Sequence, residues 1–473
     1  MPIPVVNVAQ MREWEDATWA TGQTEAEVIR RVGKRIAEHI LQITKSGDAI
    51  LILAGKGNNG NDARATAENL SARRVEILSV HSPEVELPVL QDLLRRNFAL
   101  IVDGLFGIGL NRPFDGGWRK FIAAVNESRI PILAVDVPSG LNAEKGETFG
   151  TAIEAEMTLT VGAPKIGMLA ESAWPFVGRL EVLDDVGLIP CPHKTELNWT
   201  MPDDFKNFPL RRPIAGHKGS FGHLAIVAGS FGFHGAAILT ALGAQRAQPG
   251  LITVFPQENV YHVVASQLQS PMVNIWKPDI KIFDKATAIL IGPGLAARDV
   301  PEEMRNILRR LWRDSEKPVI VDASALDWLM MQGVPKNAIR VVTPHPGEAA
   351  RMLNSTAQKI QANRPHALRE LSRRYGNCRV VLKGHQTLVG RDDKEIFANS
   401  SGNPYLAQGG SGDVLSGFIA GFLAQPGLQK DADKIMRYAV WQHGNAADKL
   451  SAAKKKWVVE DLICEISSYS SST

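Results

Sequence analysis

The stretch Gly402-Asn403-Pro404-Tyr405-Leu406-Ala407-Gln408-Gly409-Gly410-Ser411-Gly412-Asp413 crowds glycines ahead of an apolar, helix-competent run, Val414 to Leu423. Such a run leaves backbone N–H groups unpaired at a helix N-terminus, where an anion can be held. Asp413 sits at the same mouth. A carboxylate is a poor phosphate ligand, because like charges repel. It is a sensible base for a hydroxyl that attacks a phosphoryl group held by those amides. A plain N-cap by Ser411 or Asp413 is the bland alternative, but a cap does not need Gly409, Gly410 and Gly412 together. Upstream, Arg379-Val-Val-Leu-Lys383-Gly384-His385-Gln386-Thr387 puts a lysine at a strand exit, where Lys383 could neutralise a phosphate and Thr387 bond one. A hairpin with polar tips would read the same way.

A second constellation lies in the first half. Ala49 to Ala54 is a continuous apolar run, as expected of a strand buried on both faces, and it ends in Gly55-Lys56-Gly57-Asn58-Asn59-Gly60-Asn61-Asp62. A helix is expected from Ala63 to Leu70. Strand, Gly/Asn-rich loop and helix form a nucleotide-binding arrangement, although the spacing is neither a dinucleotide fingerprint nor a Walker loop. The Asn residues could equally occupy left-handed turn positions. Two more strand ends point the same way: 99–103 runs into Gly104-Leu105-Phe106-Gly107-Ile108-Gly109, and 131–136 into Val137-Pro138-Ser139-Gly140. Ligands of open parallel sheets bind beyond the carboxyl ends of the strands. Asn59, Asp103, Asp136 and Ser139 therefore gather there as a hard-oxygen set suited to a cation. Lys165 is a loop lysine that reads equally well as a solvated charge.

These residues need a scaffold. Residues 8–44 carry two helical patterns separated near Gly22, the second with Val28, Ile29, Val32, Ile36 and Ile40 on one face. Strands at 157–161 and 178–182 complete the first sheet. Periodicity then fails from about Asp184 to His217, where Pro190, Pro192, Pro202, Pro209 and Pro213 intervene. Beyond, 222–229, 251–255, 288–291, 318–321, 340–343 and 379–382 read as buried strands. They alternate with helices, which makes one further α/β domain with a mostly parallel sheet. His443, in a late helix, reads as a packed histidine.

At 473 residues the chain exceeds a single core. A net charge of +3 at this length gives no reason to expect nucleic-acid or membrane partners. Cys191, Cys378 and Cys464 match no metal or disulfide spacing, which fits a reducing compartment. The N-terminus turns acidic at Glu13, Glu15 and Asp16 and resembles neither signal nor transit peptide. A cytoplasmic protein is expected.

Over roughly 10–465 the chain resembles the bifunctional NAD(P)H-hydrate repair enzymes. Its second half is similar to the ribokinase-like superfamily through His217-Lys218-Gly219, Ile291-Gly-Pro-Gly-Leu295, Thr343-Pro-His-Pro-Gly-Glu348, Leu382-Lys-Gly384 and the glycine cluster. The resemblance implies an N-terminal Rossmann-like open α/β domain, 1–195, carrying an NAD(P)HX epimerase. A linker, 196–212, and a ribokinase-like α/β domain, 213–473, acting as ADP-dependent NAD(P)HX dehydratase, follow. It implies ADP as phosphoryl donor with Mg²⁺, NADHX and NADPHX as substrates, and a homo-oligomer. In that reading Asp413 deprotonates the C6 hydroxyl of the hydrated ring. Gly410 to Gly412 stabilise the moving phosphoryl group, and Lys383, Gly384, His385, Thr387 and Gly412 hold the nucleotide. Ala237, Gly294 and His345 contact the hydrate.

For the first half the resemblance makes Asn59, Asp103 and Ser139 ligands of K⁺. It makes Asn58, Asn59, Gly60, Asn61, Asp62, Gly107, Gly109 and Asp136 contacts to the hydrated nucleotide, Asp136 being catalytic. The chain departs from the family pattern at Asn61 and Ala63, where glycines are usual, and at Val28-Ile29-Arg30-Arg31-Val32-Gly33, which lacks a carboxylate. Asparagine is the mildest replacement if position 61 is left-handed. Ala63 would add a methyl where the loop meets ligand. The rival readings are a small-molecule kinase, which shares the Gly-x-Gly-Asp logic, and a nucleotide-binding scaffold without turnover.

Overall fold

The computed structural model describes residues 2–298, 300–335, 337–453 and 456–466. The chain forms two compact units, Ile3–Thr195 and Glu196 onward. Among the described residues no helix is long and apolar enough to cross a membrane.

The first unit is built on a six-stranded parallel sheet. Its strands are β1 (Ala49–Ala54), β2 (Arg74–Ser79), β3 (Leu100–Gly104), β4 (Ile132–Val135), β5 (Met157–Val161) and β6 (Arg179–Leu183), in the order β2-β1-β3-β4-β5-β6. Along β1, Ile50, Ile52 and Ala54 enter one hydrophobic cluster and Leu51 and Leu53 another. The apolar run is therefore continuous because both faces of the strand are covered. β2 does not announce itself in the sequence, because Arg74 and Glu76 interrupt the run on this edge strand. Helices Val8–Trp19 and Glu25–Ile43 start at capping boxes on Asn7 and Thr24.

The second unit orders β7 (Leu197–Trp199), β8 (His223–Val227), β9 (Leu251–Val254), β10 (Met272–Val273), β11 (Ala288–Ile291), β12 (Val319–Val321), β13 (Arg340–Val342), β14 (Arg379–Leu382), β15 (Leu388–Gly390) and β16 (Ile396–Ala398) as β7-β16-β15-β14-β13-β12-β11-β8-β9-β10. From β10 to β14 all neighbours are parallel, and β14, β15 and β16 pair antiparallel. The expected linker 196–212 is not a tether. Leu197–Trp199 pairs with β16, and Phe205 and Phe208 enter the main core of the unit. Its prolines end local periodicity without ending the packing.

The helix Ser411–Leu423 lies against His234–Arg246 through small residues. A methyl on Gly417 would come within 2.0 Å of the Thr240 carbonyl oxygen, and one on Gly243 within 2.3 Å of that of Val414. Gly417→Ala is expected to cost about 1–3 kcal/mol by overpacking, read as a lowered denaturation midpoint. Wild-type stability would contradict this close approach.

Candidate functional site

In the second unit the carboxyl ends of adjacent parallel strands place the chemistry. β12 is followed by Asp322, β13 by the Thr343–Glu348 turn and β14 by Lys383. Lys383 sits in the loop of the β14–β15 hairpin, so the hairpin reading of this stretch is correct in topology. Its ammonium nevertheless turns inward, 3.0 Å from Asp322 Oδ1 and 3.9 Å from Glu348 Oε2. Buried Arg364 donates to the carbonyls of Leu382 and His385 and so fixes this loop. Thr387 Oγ1 donates to the Gly384 carbonyl at 2.9 Å, and Gly384 adopts φ +132°.

The helix Ser411–Leu423 brings the other half of the site. Gly410 precedes it with φ +93°, and the first intrahelical bond runs from Val414 N–H to the Gly410 carbonyl. The amides of Gly412 and Asp413 lie ahead of that bond and have no intrahelical acceptor. A methyl on Gly412 would stand 3.3 Å from Lys383 Nζ, so glycine leaves the ammonium and the helix mouth open to one another. Burial pushes the Asp413 carboxyl up to about 7, with Asp322 and Glu348 adding to the rise and Lys383 opposing it. Burial works against the Lys383 ammonium, but Asp322, Glu348 and Asp413 outweigh it and its pKa is raised. The set combines a base near neutrality, a fixed cation and oriented amides, and can carry out phosphoryl transfer.

His345 caps the helix Pro346–Leu353: its Nδ1 accepts from the Gly347 and Glu348 amides, at 3.0 and 3.3 Å. Glu348 Oε2 in return accepts from the His345 amide at 2.8 Å. Nε2, 3.5 Å from Glu348 Oε1, is therefore the ring nitrogen left to hydrogen-bond a ligand. Gly294 has φ +66° and accepts from Ser230 Oγ, in a corner that a methyl at 294 would close against the Phe233 carbonyl and Ala236. Ala237, expected to contact the hydrate, is instead fully buried in the core, with its methyl beneath Gly229. His443 is a packed residue, with Nε2 3.1 Å from the Ser411 carbonyl oxygen. Sequence reading did not assign Asp322 and Glu348 as partners of Lys383, because strand order alone brings them together.

In the first unit a cavity of about 780 Å³ opens beyond the strand ends. Asn58, Asn59, Asp62, Gly107, Gly109 and Asp136 line it together with Glu15 and Glu25. The expected loop at 58–62 is the first turn of the helix Asn58–Ala67, with Gly57 as its N-cap. Position 61 is consequently helical rather than left-handed, and Asn61 carries no strain there. Gly60 and Asn61 do not line the cavity. Gly60 is instead pressed against the Gly55 carbonyl, 2.1 Å from where its methyl would be. Ala63 is fully buried against Gly104, on the core side. The asparagine and alanine departures thus leave the cavity wall unaltered.

Beneath that wall Asp103 and Ser139 are fully buried. Ser139 Oγ lies 2.6 Å from Asp103 Oδ1 and 3.3 Å from the Phe106 carbonyl oxygen, which also accepts from Asn59 Nδ2 at 2.8 Å. Burial raises the Asp103 carboxyl to about 6, with bonds from Ser139 and Leu105 opposing the rise. Asn59 Oδ1 is buried without a partner. An orphaned amide oxygen beside a carboxylate, a hydroxyl and a carbonyl is a donor set that fits a monovalent cation. Asp136 stands at φ +63°, an uncommon backbone for a non-glycine residue. Its Oδ1 takes the fully buried Lys165 ammonium at 2.5 Å and the Val161 amide at 3.0 Å. Lys165 is therefore no solvated charge.

Fold and sites together define a two-unit α/β protein, one half a ribokinase-like phosphoryl-transfer scaffold and the other a Rossmann-like domain with a cleft lined by charges of both signs. A family model described as NAD(P)H-hydrate dehydratase matches residues 224–471, and one described as YjeF-related protein N-terminus matches 25–91 and 80–167. The chain is 32% identical over 466 residues to the bifunctional NAD(P)H-hydrate repair enzyme Nnr of Coxiella burnetii, covering 93% of each protein. It is 32% identical to the enzyme of the same name from Escherichia coli, covering 92% of this chain and 87% of that protein. Among solved structures, a hypothetical protein of Streptococcus mutans is 28% identical with a TM-score of 0.51, covering 57% of this chain and 96% of its own. The chain belongs to the family of bifunctional NAD(P)H-hydrate repair enzymes.

Proposed function

We propose that the protein repairs hydrated NADH and NADPH. The first unit interconverts the R and S hydrates, and the second dehydrates the S hydrate at the expense of ADP, giving NAD(P)H, AMP and phosphate. The observation that carries this reading is the meeting of the Asp413 carboxyl, Lys383 and the Gly412 and Asp413 amides, in a chain matched almost end to end by bifunctional repair enzymes. We assign the epimerase to residues 1–195 and the dehydratase to the unit that begins at Glu196 and includes 213–473.

In the second unit Asp413 takes the proton of the ring hydroxyl as its oxygen attacks the phosphoryl group. The Gly412 and Asp413 amides receive the charge that develops there, and they do so without reorganising. Lys383, held by Asp322 and Glu348, neutralises the nucleotide phosphates, and the ordered 383–387 loop fixes their position. Phosphate then departs from C6 with the bonding electrons, C5 gives up a proton to solvent, and the C5=C6 double bond returns. Mg²⁺ would offset charge on the nucleotide. Among the described residues no group of three acidic, histidine or cysteine side chains is placed to hold a metal ion. In the first unit Asn59, Asp103 and Ser139 would hold K⁺, whose charge would offset that of the buried Asp103.

The test feeds mixed R and S hydrates of NADH with ADP to the intact protein. Complete consumption, beyond spontaneous epimerisation, is expected. Consumption that stops at the S fraction would remove the epimerase assignment. A stable phosphorylated product in place of NADH and phosphate would turn the second unit into a small-molecule kinase.

A further inference from the structure

The first-unit cavity contains a carboxyl group that no part of the reading above uses. Glu15 lies on the helix Val8–Trp19, which is anchored by buried Met11 and Trp14, and it lines the cavity with Asp62 and Asp136. Asp136 is tied to Lys165, Asp103 to Ser139, and Glu25 accepts from Asn58 Nδ2. Among the described residues the Glu15 side chain has neither a hydrogen bond nor an ion pair. A half-buried carboxyl held in a cleft without a structural partner is free to act on what enters the cleft. Burial, with Asp136 next in weight, pushes it up to about 7. Asp62 is likewise raised, by burial and then by Asp136 and Glu15. Lys165, held by Asp136, lowers both Glu15 and Asp62, and Arg12, Lys56 and Arg112 also line the cavity.

Resting on the proposed epimerase activity, we infer that Glu15 is the proton donor of that reaction, working against the Asp136 carboxylate across the same cavity. Glu15 gives its proton to the C6 hydroxyl oxygen. The C6–O bond breaks, its electrons leaving with water, while the N1 lone pair forms the N1–C6 π bond of an iminium cation. Water then adds to the other face of C6, the π pair returns to N1, and the proton of that water passes to Asp136. Exchange with solvent resets the two carboxyls, and the roles reverse for the opposite direction. One proton is given and one taken, and nothing is oxidised. Once it has given up its proton, Glu15 stands as a carboxylate beside the cationic intermediate and favours it over the neutral hydrate, which is the differential stabilisation that catalysis requires. Two carboxyls in unlike surroundings, one paired with an ammonium and one unpaired, suit opposite roles in proton transfer.

The experiment follows pure R-NADHX by chromatography with the intact protein in water labelled with heavy oxygen. Glu15→Gln is expected to slow interconversion by at least about 10²-fold, within the general-acid range. Glu15→Asp should retain measurable turnover. Asp16→Asn, which removes an exposed neighbouring charge on the same helix, should stay within about threefold of wild type, as expected of a group outside the proton path. Dehydration of the S hydrate by the Glu15→Gln protein should be unchanged, because the second unit carries it, and an unaltered first-unit melting transition or near-UV spectrum shows that the first unit stays folded. Wild-type interconversion should carry the label into C6–OH. A Glu15→Gln rate near wild type, an equal loss in Asp16→Asn, or inversion without label would each overturn the inference. A wild-type protein that interconverts nothing would instead overturn the epimerase reading on which the inference rests.

Discussion

Replacing Asp413 with asparagine is expected to slow dehydration of S-NADHX by at least about 10²-fold, on the general-base range of 10²–10⁴, while ADP binding changes little. The amide keeps the shape of the carboxylate and its place at the helix mouth, but it cannot accept the hydroxyl proton. Because the Asp413 carboxyl is pushed up to about 7, its basic form is scarce in acid. The wild-type rate should therefore rise through that region and level off above it. The same burial gives a stability signature. Between the ordinary carboxyl value of 3.8 and about 7 the unfolded chain has lost a proton that the folded chain retains, so Asp413 progressively destabilises the fold as pH rises. Asp413→Asn should accordingly melt higher than wild type at pH 8 and no higher at pH 4. An asparagine variant with wild-type turnover, or equal melting at both pH values, would contradict this picture.

Lys383→Met removes the cation around which the second site is assembled. The Asp322 carboxylate, 2% exposed, and the Glu348 carboxylate, 9% exposed, would then face Asp413 without compensation. Breaking a buried pair costs about 3–5 kcal/mol, and protonation of a remaining carboxyl recovers part of that. The variant should therefore lose stability most strongly as pH rises, with a smaller deficit near pH 5. It should also lose at least about 10²-fold in turnover, through lost charge stabilisation of the phosphoryl group. A second change, Asp322→Asn, should restore part of the stability at pH 8 and none of the activity. Rescue of activity by that double change would show that Lys383 serves the fold alone.

Which features were legible in the sequence follows from how local their causes are. The strands at 49–54, 100–104, 288–291 and 379–382 were readable because burial on both faces writes itself as an unbroken apolar run. The glycine cluster was readable because close approach and positive φ at Gly410 exclude larger residues. Asn58-Asn59-Gly60-Asn61 misled, since a polar helical first turn and a loop use the same residues. Glu15 could not be singled out because an acidic residue on an amphipathic helix ordinarily faces solvent, and only the tertiary fold turns this one into the cleft. The embrace of Lys383 by Asp322 and Glu348 depends on strand order, which no local pattern encodes.

The way Leu197–Trp199 and the two following phenylalanines join the second unit bears on how the two halves can be parted. A fragment that starts at 213 would strip the partner from β16 and leave the space of Phe205 and Phe208 empty beside Tyr438 and Phe422. Such a piece inherits an unpaired strand edge and a hollow flank, both of which invite aggregation. One that starts at Glu196 keeps the Leu197–Trp199 strand on β16 and both phenylalanines in the core. Gene fission that releases a free-standing dehydratase from this chain must therefore cut upstream of the proline-rich stretch and leave it with the dehydratase.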